Sequence, residues 1–258
     1  MRSFAEFRQR FDHEKDAIWQ QIFNENRSTI KIKKAKFALP NLQLIVNATL
    51  ELSNLVGFRA MSLRDLSQAA GISMGALYSY IESKESLLRM IMTQVLGTIE
   101  TTLGAEEIAR LEPRERLHTL LRDHIFLSEV MQPWFFFAYM EAKSFDRAGK
   151  RMAIESELRT ESLIAACLTD GERSGVFRNV DPVMTASLIK PLLQDWYLKR
   201  WKYSRRNVGP DSYAEWVISF VDAFLKQSPG REANALAPAR RPARKGRSPR
   251  GQHPSPVA

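Results

Sequence analysis

The stretch SLRDLSQAAGISMGALYSYIESK, residues 62–84, predicts two short helices joined by a tight turn and followed by a third helix. Ser62 and Asp65 stand three residues apart in a variant of the capping box, a pattern typical of a helix start. Three residues give this first helix one apolar face: Leu66, Ala69 and Ala70. Gly71 then supplies the residue most tolerant of positive φ, where a short helix must end sharply.

The second helix of the pair begins after Ser73, whose hydroxyl can cap it, and Ile72 fills the corner before it. Leu77 and Ile81, four residues apart, turn one side of this segment inward. The other faces carry four residues: Met74, Gly75, Tyr78 and Ser79. Two short helices with a tight glycine turn can place the second helix in the major groove of DNA, although an ordinary helical hairpin has the same spacing.

The residue identities in this segment resemble those of the DNA-binding domain of the TetR family of bacterial transcriptional regulators. The resemblance runs from about Leu42 to Leu88, and its most specific parts are the strings AGIS-x-G-x-LY-x-Y and SKESLL. It implies an all-α fold, with a three-helix helix-turn-helix head that binds DNA and a larger helical body for ligand binding and dimerisation. Helical periodicity in the rest of the chain agrees with an all-α fold.

The resemblance also implies which residues contact DNA. Base-facing positions of the family correspond here to Met74, Gly75 and Ala76. Phosphate-contacting positions correspond to Tyr78, Tyr80 and Lys84. Arg64 can reach a base or a phosphate, and its planar guanidinium matches the O6 and N7 acceptors of guanine. The predicted DNA-binding set is completed by three serines: Ser62, Ser73 and Ser79.

The composition is that of a globular protein, with 44% hydrophobic residues in a chain of 258. The net charge is +9, but seven Lys/Arg and one acid from Ser228 onward leave only +3 for residues 1–227. No apolar run is long enough to span a membrane, the N-terminus is charged, and Cys167 is the single cysteine. We therefore expect no membrane partner, no signal peptide, no internal disulfide and a cytoplasmic location.

Residues 1–39 precede the predicted head. Apolar residues at helical spacing predict an amphipathic helix over about residues 3–26, which we expect to pack on the body or on a partner subunit rather than on DNA. The following arm, RSTIKIKKAK at residues 27–36, carries five positive charges and no negative one. Such an arm suits phosphate contact beside the head.

Three further segments complete the predicted organisation. Residues 40–86 form the head, opened by Pro40 and Asn41, and residues 87–227 form the regulatory and dimerisation body. Residues 228–258 contain six of the twelve prolines and few large apolar residues, so we expect a disordered basic tail. Two interpretations of the tail stay open, attraction to DNA or another polyanion and simple solubilisation.

The body is expected to hold an effector cavity among its middle helices. Aromatic residues and residues with polar groups supply the predicted ligand-binding set: Trp134, Phe137, Tyr139, Gln194 and Tyr197. An aromatic stripe of this kind is also typical of ordinary core. The segments LLQDWYLKRWKY and RSTIKIKKAKF loosely resemble family members that regulate fatty-acid metabolism and sense acyl-CoA. Three lysines either meet CoA phosphates or are solvated surface residues: Lys143, Lys190 and Lys199.

The last two predicted helices, at about 182–203 and 211–226, are apolar on more than one face. Their large apolar residues are Leu188, Leu192, Trp196, Trp201, Trp216, Phe220 and Phe224. A helix that buries only one face against its own chain does not need so many large apolar residues. The excess predicts a two-fold, four-helix contact between two copies of the chain.

Catalytic motifs are absent from the sequence. It contains no glycine-rich phosphate loop, no HExxH and no nucleophile elbow, and we expect no enzyme, no cofactor and no metal. The predicted function is that of a transcriptional regulator, a repressor that binds a pseudo-palindromic double-stranded operator as a homodimer. A small apolar effector, such as a long-chain acyl-CoA, is expected to release it. The alternative is a helical interaction protein whose helix-turn-helix docks another protein.

Overall fold

The computed structural model describes residues 2–226, and within that range every regular element is helical, as predicted. The predicted tail, residues 228–258, lies outside the described residues. Among the described residues, no helix combines the length and the apolar character that crossing a membrane requires. Besides a 3₁₀ turn at Ala142–Ser144, the helices are α1 (Phe4–Glu25), α2 (Ala35–Val56), α3 (Leu63–Ala69), α4 (Met74–Leu77), α5 (Lys84–Leu103), α6 (Glu106–Ala109), α7 (Pro113–Val130), α8 (Gln132–Met140), α9 (Arg147–Arg173), α10 (Pro182–Leu198), α11 (Arg200–Ser204) and α12 (Pro210–Leu225).

Helices α2, α3 and α4 form the head, whose buried residues include Leu42, Ile45, Leu66 and Leu77. The first of these helices begins at Ala35, so the predicted start at Pro40 is wrong by five residues. Pro40 lies inside the helix, where its missing N–H removes one backbone hydrogen bond. Burial of Ala38 in the core stabilises the additional turn, and local sequence signals do not reveal this tertiary contribution.

Helices α7, α9, α10 and α12 form most of the body, and α5 leads into it from the head. The helix predicted at 182–203 is interrupted at Lys199, and α11 follows as a separate turn. Tyr203 and Tyr213 consequently pack on Trp196, with ring centroids 5.3 and 4.8 Å from it. Trp196 is fully buried by its own chain, so its predicted place in the contact between two copies is wrong.

Helix α1 joins the body to the head. Its 22 residues span about 33 Å at 1.5 Å per residue. Phe4 and Phe7 pack edge-on against Phe126 of α7, and the Phe4 amide donates to the carboxylate of Asp211 in α12 at 2.8 Å. The other end contacts α2 and buries three large residues: Trp19, Ile22 and Phe23. The expected packing of this helix on the body is therefore observed.

Candidate nucleic-acid interface and effector region

The first helix of the helix-turn-helix, α3, starts at the predicted capping box. The Ser62 hydroxyl accepts from the Asp65 amide at 3.1 Å, and the Asp65 carboxylate accepts from the Ser62 amide at 2.9 Å. This cap fixes the first turn of α3, on which Arg64 is exposed. The predicted apolar face is only partly correct. Leu66 and Ala70 are buried, whereas Ala69 is exposed.

The turn between the two helices is held by its backbone and by one serine. Gly71 has a φ of +66°, which confirms the reason for glycine at this position. The Ser67 hydroxyl donates to the Ile72 carbonyl at 2.6 Å, and the Ile72 amide donates to the Ser67 carbonyl at 3.1 Å. Sequence reasoning did not single out Ser67. Its two bonds across the turn fix the orientation of α4 relative to α3.

Helix α4 is a single turn capped by Ser73, whose hydroxyl accepts from the Ala76 amide at 3.1 Å. Leu77 and Ile81 are buried, as predicted. The residues predicted to face DNA here are exposed or half-buried: Met74, Gly75, Ala76, Tyr78 and Ser79. Arg64 on α3 is exposed as well, and α3 contacts α4, so the helix-turn-helix offers exposed residues of mixed polarity on a hydrogen-bonded backbone.

Glycine at position 75 is not required by the fold. A Cβ on Gly75 would meet no atom within 4 Å, and the residue does not have a positive φ. Glycine within a helix is less stable than alanine by about 0.5–1 kcal/mol. The fold therefore gives no reason for glycine at this exposed position.

Tyr80 is not part of this surface, so its predicted phosphate contact needs correction. The side chain is only 1% exposed, and its hydroxyl donates to the Phe37 carbonyl of α2 at 3.4 Å. Burial raises the pKa of the Tyr80 hydroxyl. The ring lies in the core of the head because its position falls on the inward side together with Leu77 and Ile81.

Lys84, the first residue of α5, bonds within the head. Its ammonium donates to the carbonyls of Arg59 at 3.0 Å and Met61 at 2.6 Å, and it lies 5.0 Å from the centroid of the Phe58 ring. Desolvation lowers the pKa of Lys84. An ammonium has three donors, so one remains for a phosphate. The phosphate contact stays a prediction, and holding the segment before α3 is an additional role.

The basic arm lies beside α4. The Lys31 amide donates to the Ser79 carbonyl at 2.8 Å, which ties the arm to the end of the helix-turn-helix. The arm's five cationic side chains are exposed: Arg27, Lys31, Lys33, Lys34 and Lys36. Positive charge therefore adjoins the exposed surface of α4, where contact with a phosphate backbone requires it.

The five predicted ligand-binding residues fall into two groups. Trp134 and Phe137 are buried and pack on rings outside the middle of the body, at 5.7 Å from Trp19 and 5.5 Å from Phe58. The other three, Tyr139, Gln194 and Tyr197, lie together. The Tyr139 ring packs 6.5 Å from the Tyr197 ring, and Gln194 precedes Tyr197 by one turn of α10. The structure thus supports one cluster of three and not a common site of five.

Gln194 also belongs to a polar cluster inside the body. Its amide donates to both carboxylate oxygens of Glu157, at 2.8 and 3.0 Å. The Lys190 ammonium lies 3.6 Å from Glu157 and 3.4 Å from Nε2 of His124. Lys190 is only 4% exposed, so the interpretation of this lysine as a solvated surface residue is wrong. Glu157 and His124 were missed because they lie on other helices, far away in sequence.

The charges of this cluster are shifted by burial. Burial, and then the nearby Lys190, keep the pKa of His124 well below its usual value. Burial also lowers the pKa of Lys190. Within residues 2–226, Nδ1 of His124 is buried without a hydrogen-bond partner. Buried polar groups with shifted pKa values are typical of sites that bind a ligand's polar part.

Helix α8 connects this region to the head. Phe137 packs edge-on against Phe58, and α8 contacts α2. One turn further on, the Glu141 carboxylate approaches Gly57, where a Cβ would lie 3.9 Å from Oε1. Residues 57–62 lead directly into α3. A displacement of α8 would therefore reach the helix-turn-helix through a short set of contacts.

The outer side of α10, α11 and α12 exposes large apolar residues: Met184, Leu188, Trp201, Trp216, Phe220 and Phe224. Trp216 is 75% exposed and Phe220 is 66% exposed. Spacings of four residues place both on one face of α12 with Phe224. Contiguous apolar surface of this kind marks an interaction surface. Five of the seven residues predicted to contact a second copy are among the exposed ones, and Leu192 is half-buried.

Two family models match this chain. The model described as "Bacterial regulatory proteins, tetR family" matches residues 45–91, and the model described as "Tetracyclin repressor-like, C-terminal domain" matches residues 110–225. Together they span the head and the body, which is well over half of the chain. The chain belongs to the TetR family of bacterial regulatory proteins. It is a DNA-binding transcriptional regulator and not an enzyme.

Known proteins of similar sequence and fold are regulators as well. The HTH-type transcriptional regulator HbdR of Aromatoleum sp. (strain CIB) is 25% identical over 195 residues, which cover 75% of this chain and 84% of that protein. The crystal structure of the TetR family regulator PfmR from Thermus thermophilus is 27% identical, with a TM-score of 0.59 over 70% of this chain and 96% of that one. FadR from Bacillus subtilis, crystallised with stearoyl-CoA, shares the fold at 16% identity and a TM-score of 0.54, over 70% and 97% of the two chains.

Proposed function

We propose that this regulator binds a pseudo-palindromic operator as a dimer, represses transcription there, and is released by a long-chain acyl-CoA. The observation that carries the DNA part is the capped α4 turn, on which Gly75 and Tyr78 are exposed, with Arg64 exposed on the preceding helix and the basic arm bonded to Ser79. In this arrangement, base contacts from α4 and Arg64 specify the sequence. Phosphate contacts from Tyr78, Lys84 and the arm position the protein on the duplex.

The proposed dimer uses the exposed apolar face of α10 and α12. In a two-fold contact the same surface of both copies meets, so Trp216 and Phe220 are buried against their counterparts. A dimer presents two heads to the same duplex. Half-sites one helical turn apart, about 34–36 Å, then explain why a pseudo-palindrome is the expected operator.

The proposed acyl site lies between α8 and α10. Phe135, Tyr139 and Tyr197 form an aromatic wall, with Phe135 and Tyr197 5.4 Å apart. The polar end of the ligand would meet Gln194 and Lys190. A dozen methylenes contribute on the order of 10 kcal/mol before ordering costs, at about 0.8 kcal/mol each. Micromolar binding needs about 8 kcal/mol. The stearoyl-CoA in the related FadR structure supports this class of ligand.

Release requires that the effector bind better to a conformation in which the heads no longer fit the operator. An acyl chain inserted beside Tyr139 displaces α8. Phe137 of this helix and Glu141, the residue directly after it, transmit that displacement to Phe58 and Gly57, just before α3.

The test begins with selection of bound fragments from the source genome, which yields the operator. Fluorescence anisotropy then measures operator binding in the presence of palmitoyl-CoA or free CoA. We expect micromolar palmitoyl-CoA, and not free CoA, to release the operator. Tyr139→Ala should weaken palmitoyl-CoA binding. Phe137→Ala should keep that binding and lose much of the release, because it removes the contact with Phe58.

Two outcomes would contradict parts of this proposal. An operator complex indifferent to palmitoyl-CoA but dissolved by a flavonoid, an antibiotic or a sugar would remove the acyl-CoA assignment and leave the regulator intact. Unchanged release in Phe137→Ala would remove the proposed route through α8.

A further inference from the structure

A cleft of about 720 Å³ opens between α1 and the body. Its walls come from α1, the end of α5, the segment around α6 and the start of α7, and its apolar lining is Phe7, Phe11, Ala105, Ile108 and Leu111. None of the five residues predicted for the effector lines it. Small-molecule sites typically measure about 300–1,000 Å³, so the cleft has the size of a ligand site.

The inner end of the cleft carries an arginine without an acceptor. Arg122 of α7 lines the cleft and is only 7% exposed. Among residues 2–226 its guanidinium has an electrostatic interaction with Asp123 but neither a hydrogen bond nor an ion pair within 4.0 Å. A guanidinium stays charged at all ordinary pH values, and a buried charge is unfavourable unless it is paired. Its only charged neighbour among the described residues is Asp123, and its nitrogens are not sealed from the cleft. A guanidinium that lines a cleft and has no hydrogen-bond acceptor of its own therefore indicates a place for an anion.

The neighbouring Asp123 does not neutralise this arginine by itself. Arg2 of the segment before α1 lies 3.9 Å from the Asp123 carboxylate, and Arg10 acts on the same group. Burial raises the pKa of Asp123 in spite of these arginines. With Arg2 and Arg122 sharing one buried carboxylate, positive charge is in excess at the inner end.

The rim of the cleft has the opposite character. Three exposed carboxylates line it, Glu107, Glu112 and Glu115, against one exposed arginine, Arg114, which also lies 3.9 Å from Asp222. Glu14 also lies at the rim. It pairs with Arg10 at 3.1 Å, so the two side chains together carry no net charge. An acidic rim repels ligands with several negative charges, such as polyphosphates. A ligand with a single negative charge meets less repulsion and gains the full attraction of Arg122.

We propose that this cleft binds an organic acid with one carboxylate and an apolar ring or chain. The carboxylate accepts from the forked donors of Arg122, a geometry that suits a planar carboxylate. The apolar part packs on Phe7, Phe11 and Ile108. Because CoA carries several phosphate charges that the rim disfavours, this site is separate from the proposed acyl-CoA site and does not depend on it.

The test uses 2-naphthoate as probe and the full chain without DNA, by isothermal titration calorimetry. We expect one molecule to bind per chain, and the neutral analogue 2-naphthamide to bind at least tenfold more weakly. Arg122→Met keeps most of the apolar stem and should weaken 2-naphthoate binding at least tenfold. The matched control is Arg110→Met, which removes an exposed arginine of the neighbouring segment that does not line the cleft and should bind within twofold of wild type.

A second variant covers the case in which Arg122→Met fails to fold. Thr119→Phe keeps Arg122, fills part of the cleft and should also weaken 2-naphthoate binding at least tenfold. The proposal is overturned if the wild-type chain does not bind 2-naphthoate, if 2-naphthamide binds equally well, or if folded Arg122→Met and Thr119→Phe bind like wild type. Tighter binding of 2-naphthyl phosphate than of 2-naphthoate would overturn the assignment to a monoanion.

Discussion

The two short helices of the head and the long helices of the body are stabilised in different ways. Helices α3 and α4 have seven and four residues, and side-chain caps from Ser62 and Ser73 fix where they begin. Helices α9 and α12 have 27 and 16 residues. Asp146 caps α9, but most of the length of both helices is held by contacts with α10 and α7. The head therefore presents a fixed surface made of few residues.

This difference matters for function. A surface that reads base edges must hold its side chains and backbone in place before binding, and capped helices with a bonded turn do so. The body instead leaves apolar residues of α12 exposed and keeps polar groups such as Lys190 in its interior. Those are the properties needed for pairing with a second copy and for responding to a ligand. The predictions below test this division between head and body.

The largest effect is expected at the exposed face of α12. Phe220→Glu places a charge where the proposed two-fold contact buries an aromatic ring, so the dimer should dissociate. Sedimentation should then show the chain mass of 29.6 kDa where the wild type shows twice that value. Operator affinity should fall by about 10²–10⁴-fold, because the second head no longer binds in the same complex.

The control for this experiment is Phe220→Leu, which keeps an apolar side chain and should remain dimeric. A wild-type chain that sediments as a monomer at micromolar concentration would contradict both the dimer and the palindromic operator.

The next effect concerns base reading and phosphate contact in the head. Arg64→Ala should cost about 1–3 kcal/mol at particular base pairs. Tyr78→Ala should weaken binding to all DNA sequences alike, because a phosphate contact carries no base information. Anisotropy titrations on the operator and on single-substitution duplexes separate the two patterns. Arg89→Ala, an exposed arginine of α5, serves as control and should bind like wild type.

A smaller effect should separate the two roles of lysines near the DNA surface. Lys84→Met removes two hydrogen bonds to backbone carbonyls and should lower the free energy of unfolding by about 1–3 kcal/mol. Lys31→Met leaves the backbone bond to Ser79 intact and should not change stability. It should instead reduce the slope of log K against log salt by about 0.9. Urea unfolding and salt titrations measure the two quantities, and equal stability of both variants would contradict the structural role of Lys84.

The smallest expected change in stability is at Gly75. Because a Cβ there meets no neighbour, Gly75→Ala should leave the fold unchanged or stabilise it by up to about 1 kcal/mol. Operator affinity should nevertheless fall, since the methyl group occupies the space through which the backbone approaches a base pair. A variant that binds operator as tightly as wild type would show that close approach at this position is not needed.

The head could be predicted closely because its signals are local. Ser62 with Asp65, Gly71 and Ser73 each act within a few residues, and the structure places each in its predicted role. Two errors came from burial, which local patterns do not report. Tyr80 lies on the inward side of the segment after α4. The buried Ala38 belongs to an additional turn, so that α2 begins at Ala35, before Pro40.

The body could be predicted only in outline, because its sites combine residues from distant helices. Gln194 and Lys190 were recognisable from one segment, whereas Glu157, which Gln194 bonds, and His124, which Lys190 contacts, lie on α9 and α7. The aromatic run of α8 divides between Trp19 of α1, Phe58 of the head and Tyr197 of α10. No sequence spacing indicates that division, since it depends on how α1 and α8 cross the other helices.

The most direct test of the central claim, that the fixed surface of α3 and α4 reads an operator in a dimer, is a salt-dependent competition. Anisotropy titrations compare the selected operator, the same duplex with one half-site scrambled, and a fully scrambled duplex. We predict that affinity for the operator exceeds that for the fully scrambled duplex by on the order of 10³ or more. We also predict an intermediate value with one half-site, and a decrease with salt by on the order of 10³ between about 50 and 200 mM. Equal affinity for all three duplexes, or binding that does not change with salt, would contradict the claim.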